Sequence, residues 1–226
     1  MFDRSRITRV AALLPLVASL AACEVKNPLE DVNVILNITD APISLSAIPA
    51  LGLVAGQVSQ RTGTVNTQSP VESVNSVSAI KLAPAFFGFT PTAPAPAAGM
   101  AAGSNSVSGT VLVTVRSGTT PLVAVTLTIV NNVVTAVDPS VATLASMAAA
   151  YRSKVDAAIA ANPSLAGQFG SYQGLTADQL LANINAVLTS AQSNITVVAT
   201  VLSGDVTGSL SISQFTVDGQ VTADRP

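Results

Sequence analysis

Residues 107–137 read VSGTVLVTVRSGTTPLVAVTLTIVNNVVTAV. Successive side chains of a strand point to opposite faces, so apolar residues at every second position mark a sheet with one covered face. Val111, Val113 and Val115 share one parity, and Thr110, Thr114 and Arg116 share the other. After a turn near Ser117-Gly118, the pattern resumes at Val123, Val125, Leu127 and Ile129. Asn131-Asn132 supplies two residues that tolerate positive φ, as a tight hairpin requires. Val133, Thr135 and Val137 continue on a return strand. The stretch predicts an antiparallel meander.

Downstream, Asp138-Pro139-Ser140 has the signature of a helix start, with Asp138 or Ser140 as cap and Pro139 in the first turn. Val141, Leu144, Ala148, Tyr151, Val155 and Ile159 then recur at helical spacing as far as Asn162-Pro163, where the residue before proline leaves the α region. A second helix opens at Thr176, with Gln179 completing a capping-box pattern. Leu180, Ile184, Val187, Leu188 and Ala191 form its apolar side. Strands return over 195–202 and 209–217, separated by a turn at Ser203-Gly204-Asp205. Leu210 and Ile212 have the opposite parity to Phe215 and Val217, which predicts a bulge near Ser213-Gln214. Asp218-Gly219 reads as a hairpin turn before a short last strand, 220–223.

Upstream, 31–39 (DVNVILNIT) alternates as a half-buried strand. The stretch 41–57 carries Pro42, Pro49, Gly52 and Gly56 and is expected to be irregular with one short strand, while 71–82 reads as a strand of poor alternation. The segment 83–104, APAFFGFTPTAPAPAAGMAAGS, is dominated by Pro, Ala and Gly and is expected to lack regular structure. It nevertheless holds Phe86, Phe87 and Phe89, three of the six phenylalanines. They are either plugs that pin a loop to the core or an exposed apolar contact patch. The expected fold is α+β: a mostly antiparallel sheet covered on one face by two helices inserted between strands at 139–192. A β-sandwich with the same helical insertion is the alternative.

The chain opens MFDRSRITRV, so Arg4, Arg6 and Arg9 make a positive leader. Residues 10–22, VAALLPLVASLAA, follow without a charge. That run is shorter than the about 20 residues a spanning helix needs, but it suits a secretory signal segment. It ends at Leu20-Ala21-Ala22-Cys23, which contains the single cysteine of the chain. These four residues resemble the lipobox of bacterial lipoproteins. The resemblance implies that the Cys23 sulfur receives a diacylglyceryl group and that signal peptidase II cuts between Ala22 and Cys23. It also implies that the new N-terminus is acylated. Two or more acyl chains hold a protein stably on a membrane where one holds it only reversibly. Glu24 follows the cysteine; in Gram-negative members an Asp there tends to retain the protein in the inner membrane, so the resemblance points to the outer membrane. The implied organisation is a signal peptide (1–22), a lipidated tether (23–30) and a single domain (31–226).

With 10 basic and 12 acidic side chains the chain has no cationic excess, and removing the leader makes it more acidic still. Nucleic acid and anionic lipid headgroups are therefore poor partners. No charged residue occurs over 82–115, 117–137 or 179–204, where the polar positions are Ser, Thr, Asn and Gln. The chain has no histidine, so a Ser-His-Asp arrangement is excluded, and a lipidated Cys23 leaves no thiol for catalysis or zinc. Asp205, Asp218 and Asp224 match no calcium-loop spacing and read as turn residues. Asp138, Asp156 and Asp178 show no convergence of the kind a glycosidase needs and read as capping or solvated groups. No catalytic residue, metal or cofactor is expected. Tyr151, Arg152 and Lys154 on the first helix, with Tyr172 in the loop beyond it, are the candidate partner surface. The expected function is a non-enzymatic binding or structural role at the cell envelope, with a membrane through the lipid and an envelope protein or polysaccharide as partner. The alternative is a carrier or chaperone of lipid or another hydrophobic ligand, which would need an enclosed apolar cavity.

Overall fold

A computed structural model describes residues 34–66, 71–92 and 106–223. The meander forms as its alternation predicts: β6 (Gly109–Ser117), β7 (Thr120–Val130) and β8 (Val133–Asp138) pair antiparallel in sequence. Asn131 and Asn132 take φ of 51° and 68°, closing the β7–β8 hairpin in the left-handed region. On the other side β6 pairs with β10 (Gln192–Gly204), and β10 with β3 (Val58–Asn66), giving the antiparallel order β3-β10-β6-β7-β8.

Both faces of this sheet are covered. One carries Val111, Val113, Val115, Val123, Val125, Leu127 and Val197, all buried. The other carries Leu112, Thr114, Ala124, Val198 and Thr200, buried as well. Thr114 therefore does not face solvent, as a one-sided sheet would require. Threonine is small enough to sit beneath a second layer, so the alternation that signals strand does not reveal which face stays wet.

The remaining strands follow three long paths. β12 (Gln214–Ala223) lies between β1 (Val34–Ser44) and β4 (Val71–Lys81). β11 (Gly208–Ile212) lies between β2 (Leu51–Leu53) and β5 (Phe87–Pro91). Each path thus leaves one sheet and enters the other. The crossing is stitched at Ser213, whose carbonyl accepts from Leu45 N at 2.7 Å and whose N–H donates to Phe86 O at 2.9 Å. The expected bulge at Ser213-Gln214 is in fact this break between sheets. It inverts parity as a bulge would, so Leu210, Ile212, Phe215 and Val217 are all buried. The β2–β3 side of the aliphatic face is closed by residues 47 and 48: a Cβ on Gly63 would lie 3.0 Å from Ala47 O and 3.1 Å from Ile48.

Three local expectations are corrected, and one strand is added. Asp218-Gly219 is not a turn: both residues lie inside β12, at a register shift against β4. Gly219 is needed there for close approach, since a Cβ would stand 2.0 Å from Ser76 O. The segment 83–104 is not wholly irregular: Pro84–Phe86 is a 3₁₀ turn and 87–91 is β5, while 93–104 lies outside the described residues. The helix expected from Asp138-Pro139-Ser140 starts later. A two-residue strand β9 (Val141–Ala142) first pairs with Ile80 and Lys81 of β4, and Val141 is 60% exposed rather than on an apolar helix face. Helix α1 (Leu144–Ala161) is capped by Thr143, whose side chain accepts from Ser146 N. Finally, β3 is a strand that its own sequence, VSQRTGTVN, does not announce.

α1 ends at Asn162, before Pro163, as expected. α2 (Ala177–Leu188) has the full capping box between Thr176 and Gln179 and buries Leu180, Ile184, Val187 and Leu188. Ala191 falls beyond its end. Both helices contact β7 and β4. Asn183 Nδ2 donates to Pro121 O at 2.7 Å, and Val74 N donates to Asn185 Oδ1 at 2.8 Å. The fold is α+β, dominated by antiparallel sheet, with two helices inserted between strands.

Candidate functional site

The connection between the helices, 162–175 (NPSLAGQFGSYQGL), is the most elaborated loop of the described structure. Asn162 Oδ1 accepts from Ser164 N at 3.1 Å and lies 2.7 Å from Ser164 Oγ, turning the chain at the end of α1. Gly167, Gly170 and Gly174 have positive φ. At Gly170 the need is also steric: a Cβ would meet Thr119 O at 2.5 Å, because the loop lies directly on the β6–β7 turn. Ser171 N donates to that same Thr119 carbonyl at 3.0 Å.

Two aromatic anchors hold the loop down. Phe169 and Tyr172 are buried, and Tyr151 of α1 is fully buried beside them. Tyr151 Oη donates to Phe169 O at 2.8 Å, and Tyr172 Oη donates to Asp156 Oδ1 at 2.9 Å. The two tyrosine rings lie 6.3 Å apart, tilted by 34°. Burial pushes the Tyr151 hydroxyl well above the ordinary tyrosine range, against the opposing pull of Thr114 and then Arg116. Burial, then Asp156, raise Tyr172. Arg152 donates to the Leu175 carbonyl. Lys154 Nζ reaches Asp138 Oδ2 at 2.6 Å and Thr126 Oγ1 at 3.1 Å.

The candidate partner residues Tyr151, Arg152, Lys154 and Tyr172 are thus brought together in one layer, but they point inward. The tyrosines fill the interior, and the two cations reach back to a loop carbonyl and to β7 and β8. What they leave at the surface is an open depression of about 440 Å³ lined by Ile159, Gly167, Gly170, Ser171, Tyr172 and Gln173. Its size falls in the range of small-molecule sites. These lining residues carry no charge. They offer a hydroxyl, an amide and glycine-exposed backbone, a set suited to hydrogen bonding with a neutral polar group rather than to acid–base chemistry.

The three phenylalanines sit against the core. Phe87 is buried in β5, and Phe86 and Phe89 are half-buried against the same cluster. Asp138, Asp156 and Asp218 each have a partner within the fold, Asp178 lies in the first turn of α2, and Asp205 is exposed between β10 and β11. Asp224, Ala22 and Cys23 lie outside the described residues. Among the described residues no group of three acidic or cysteine side chains is placed to hold a metal. None of the described helices is long and apolar enough to cross a membrane, which leaves membrane-crossing strands unaddressed.

Sequence reading missed a charge cluster joining β1, β4 and β12. Lys81 Nζ lies 2.9 Å from Asp40 Oδ1 and 2.6 Å from Asp218 Oδ2, and Asp40 N donates to Asp218 Oδ1 at 2.8 Å. The Asp40 N–H, then Lys81, hold the Asp218 carboxyl below its ordinary range. Hydrogen bonds to Asp218 and Asp40 raise Lys81. No local pattern could signal this cluster, because its members come from three distant strands. Sequence reading also missed two buried polar atoms that have no hydrogen-bond partner among the described residues, Thr200 Oγ1 and Arg116 Nε.

Comparison of the chain with protein-family models, curated proteins and solved structures finds no match.

Proposed function

We propose that the chain is a membrane-anchored cell-envelope lipoprotein whose folded domain has a non-enzymatic binding or structural role. The observation that carries the proposal is the leader: three arginines, an uncharged apolar run and then Leu20-Ala21-Ala22-Cys23. Two acyl chains on Cys23 would hold the domain stably at a bilayer, with residues 24–30 as the tether between them. Glu24 favours the outer membrane in a Gram-negative envelope. The neutral depression over the helix-connecting loop supports a binding role, with an uncharged polar partner such as a polysaccharide or a peptide segment.

The carrier reading receives less support. It drew on apolar residues found on both faces of the sheet, such as Leu112, Leu122 and Val198. These are fully buried within the packed layers of the domain, which accounts for them without a ligand chamber. The depression is open and partly polar rather than an enclosed apolar space. Intact mass measurement of the chain extracted from membranes tests the proposal. Loss of residues 1–22 together with an acyl-bearing Cys23 is expected; an unprocessed chain, or a mature chain with a free thiol, contradicts it. Stoichiometric co-purified lipid, beyond the anchor, would favour the carrier.

A further inference from the structure

We infer that the outer edge of β1 over 34–38 is a self-association surface, pairing antiparallel with the same segment of a second copy of this chain. β1 is the terminal strand of the order β1-β12-β4-β9, so among the described residues its backbone is paired on one side only. Unpaired edges template strand addition, and folded proteins ordinarily blunt them. The other edges of the described sheets are blunted. β2 and β9 are three and two residues long. β8 lies against β5 and ends in Asp138. β3 presents the exposed cation Arg61 and packs beside β2. The second half of β1 is blunted too: its register shifts between Ile38 and Ala41, Asp40 takes φ of 53°, and Pro42 removes a donor.

Among the described residues only the first half is left open, and there the side chains invite cover. Ile35 is 63% and Leu36 40% exposed, while Ile38, on the same face as Leu36, packs against the core. Leu36 thus prolongs an apolar face past the point where the described residues bury it. A second copy suits the edge because 34–39, VILNIT, carries no charge, so like-with-like pairing sets no like charges opposite each other within that stretch. Centring the two-fold axis on Leu36 keeps the pairing within the regular stretch before the register shift. It sets Leu36 against Leu36 and Ile35 against Asn37. A lipid surface is the poorer occupant, because Glu30 and Asp31 lie four and three residues before Val34.

Five residues of edge pairing bury well below the ~1,200 Å² of a stable interface, so association is weak unless both copies are confined. Anchoring on one membrane supplies that confinement by raising effective concentration. In this respect the inference rests on the lipoprotein reading.

The test expresses the full chain with Leu36→Cys and treats membranes with a short bifunctional maleimide. A cross-linked dimer is expected, because directly opposed Cβ atoms lie about 4.5–5.5 Å apart. The dimer should disappear when Ile35→Lys is added and be absent when Val130→Cys, on the β7–β8 hairpin, replaces Leu36→Cys. Three results overturn the inference: no dimer although the thiol introduced by Leu36→Cys takes up a monofunctional maleimide, equal dimer from Val130→Cys, or that introduced thiol shielded from a water-soluble maleimide by the membrane alone. The unsubstituted chain reports the anchor separately, since a lipidated Cys23 takes up no maleimide.

Discussion

Replacing Tyr151 by phenylalanine removes one oxygen from the centre of the helix-connecting loop. The hydroxyl is fully buried and donates to Phe169 O at 2.8 Å, so the change leaves that buried carbonyl without its donor. The expected cost is about 1–2 kcal/mol of unfolding free energy at neutral pH. For a domain of this size that lowers Tm by about 2–8 °C. The pH dependence carries the sharper signature. Burial raises the folded-state pKa of Tyr151 above the ordinary 10.0. A group whose pKa is raised on folding contributes stability that is fully present below its unfolded pKa and is lost as pH climbs toward the folded value. The native chain should therefore lose about 1.4 kcal/mol per pH unit above pH 10 from this tyrosine alone, a term Tyr151→Phe lacks. Lys81 and Tyr172 titrate in the same region but alike in both proteins, so the difference isolates Tyr151. Urea unfolding of the two proteins at several pH values measures it. The gap of neutral pH should narrow above pH 10 and close by about pH 11. Parallel pH profiles, or equal stability at pH 7, would refute the burial and bonding assigned to this hydroxyl.

Other consequences are measured by the same unfolding experiments. Thr176→Ala removes half of the capping box and should cost about 1 kcal/mol, lowering Tm by about 2–4 °C. Gly219→Ala forces a Cβ to within 2.0 Å of Ser76 O and should cost at least about 2–3 kcal/mol. Gly52→Ala, with nothing within 4 Å, should stay within about 0.5 kcal/mol of the native chain. Asp218 has a folded-state pKa below its ordinary 3.8, so its contribution is present above that value and is lost as pH falls through the lowered one. Asp218→Asn should start less stable at neutral pH and lose less than the native chain between pH 4 and pH 2.

The parts of the fold that were legible share a physical reason: their signals are local. The β6–β8 meander announces itself through alternation and through Asn131-Asn132, and α2 through the Thr176–Gln179 pair. Where local chemistry has two uses, reading fails. Gly219 beside an aspartate looks like a hairpin turn, yet its missing side chain serves a close strand approach. Asp138-Pro139 looks like a helix start, yet β9 is inserted because the edge of β4 offers a partner. β3 is a strand because β10 has an open side, a fact its polar sequence cannot express. At the candidate site, the helical spacing already placed Tyr151 with Val155 on the apolar stripe. What it could not show is that Arg152 and Lys154 fold their long side chains back onto Leu175, Asp138 and Thr126 instead of facing a partner. The Lys81–Asp40–Asp218 cluster depends entirely on the pairing of β1, β12 and β4.

Cys23 carries the central claim, that the domain is held at a membrane by lipid. Cells expressing the native chain and Cys23→Ser should be fed a clickable fatty acid, and the two proteins compared for incorporated label and for membrane association. Label on the native chain, with label and membrane association both lost in Cys23→Ser, is the expected result. Equal label on both, or none on either while the protein is exported and folded, would contradict it.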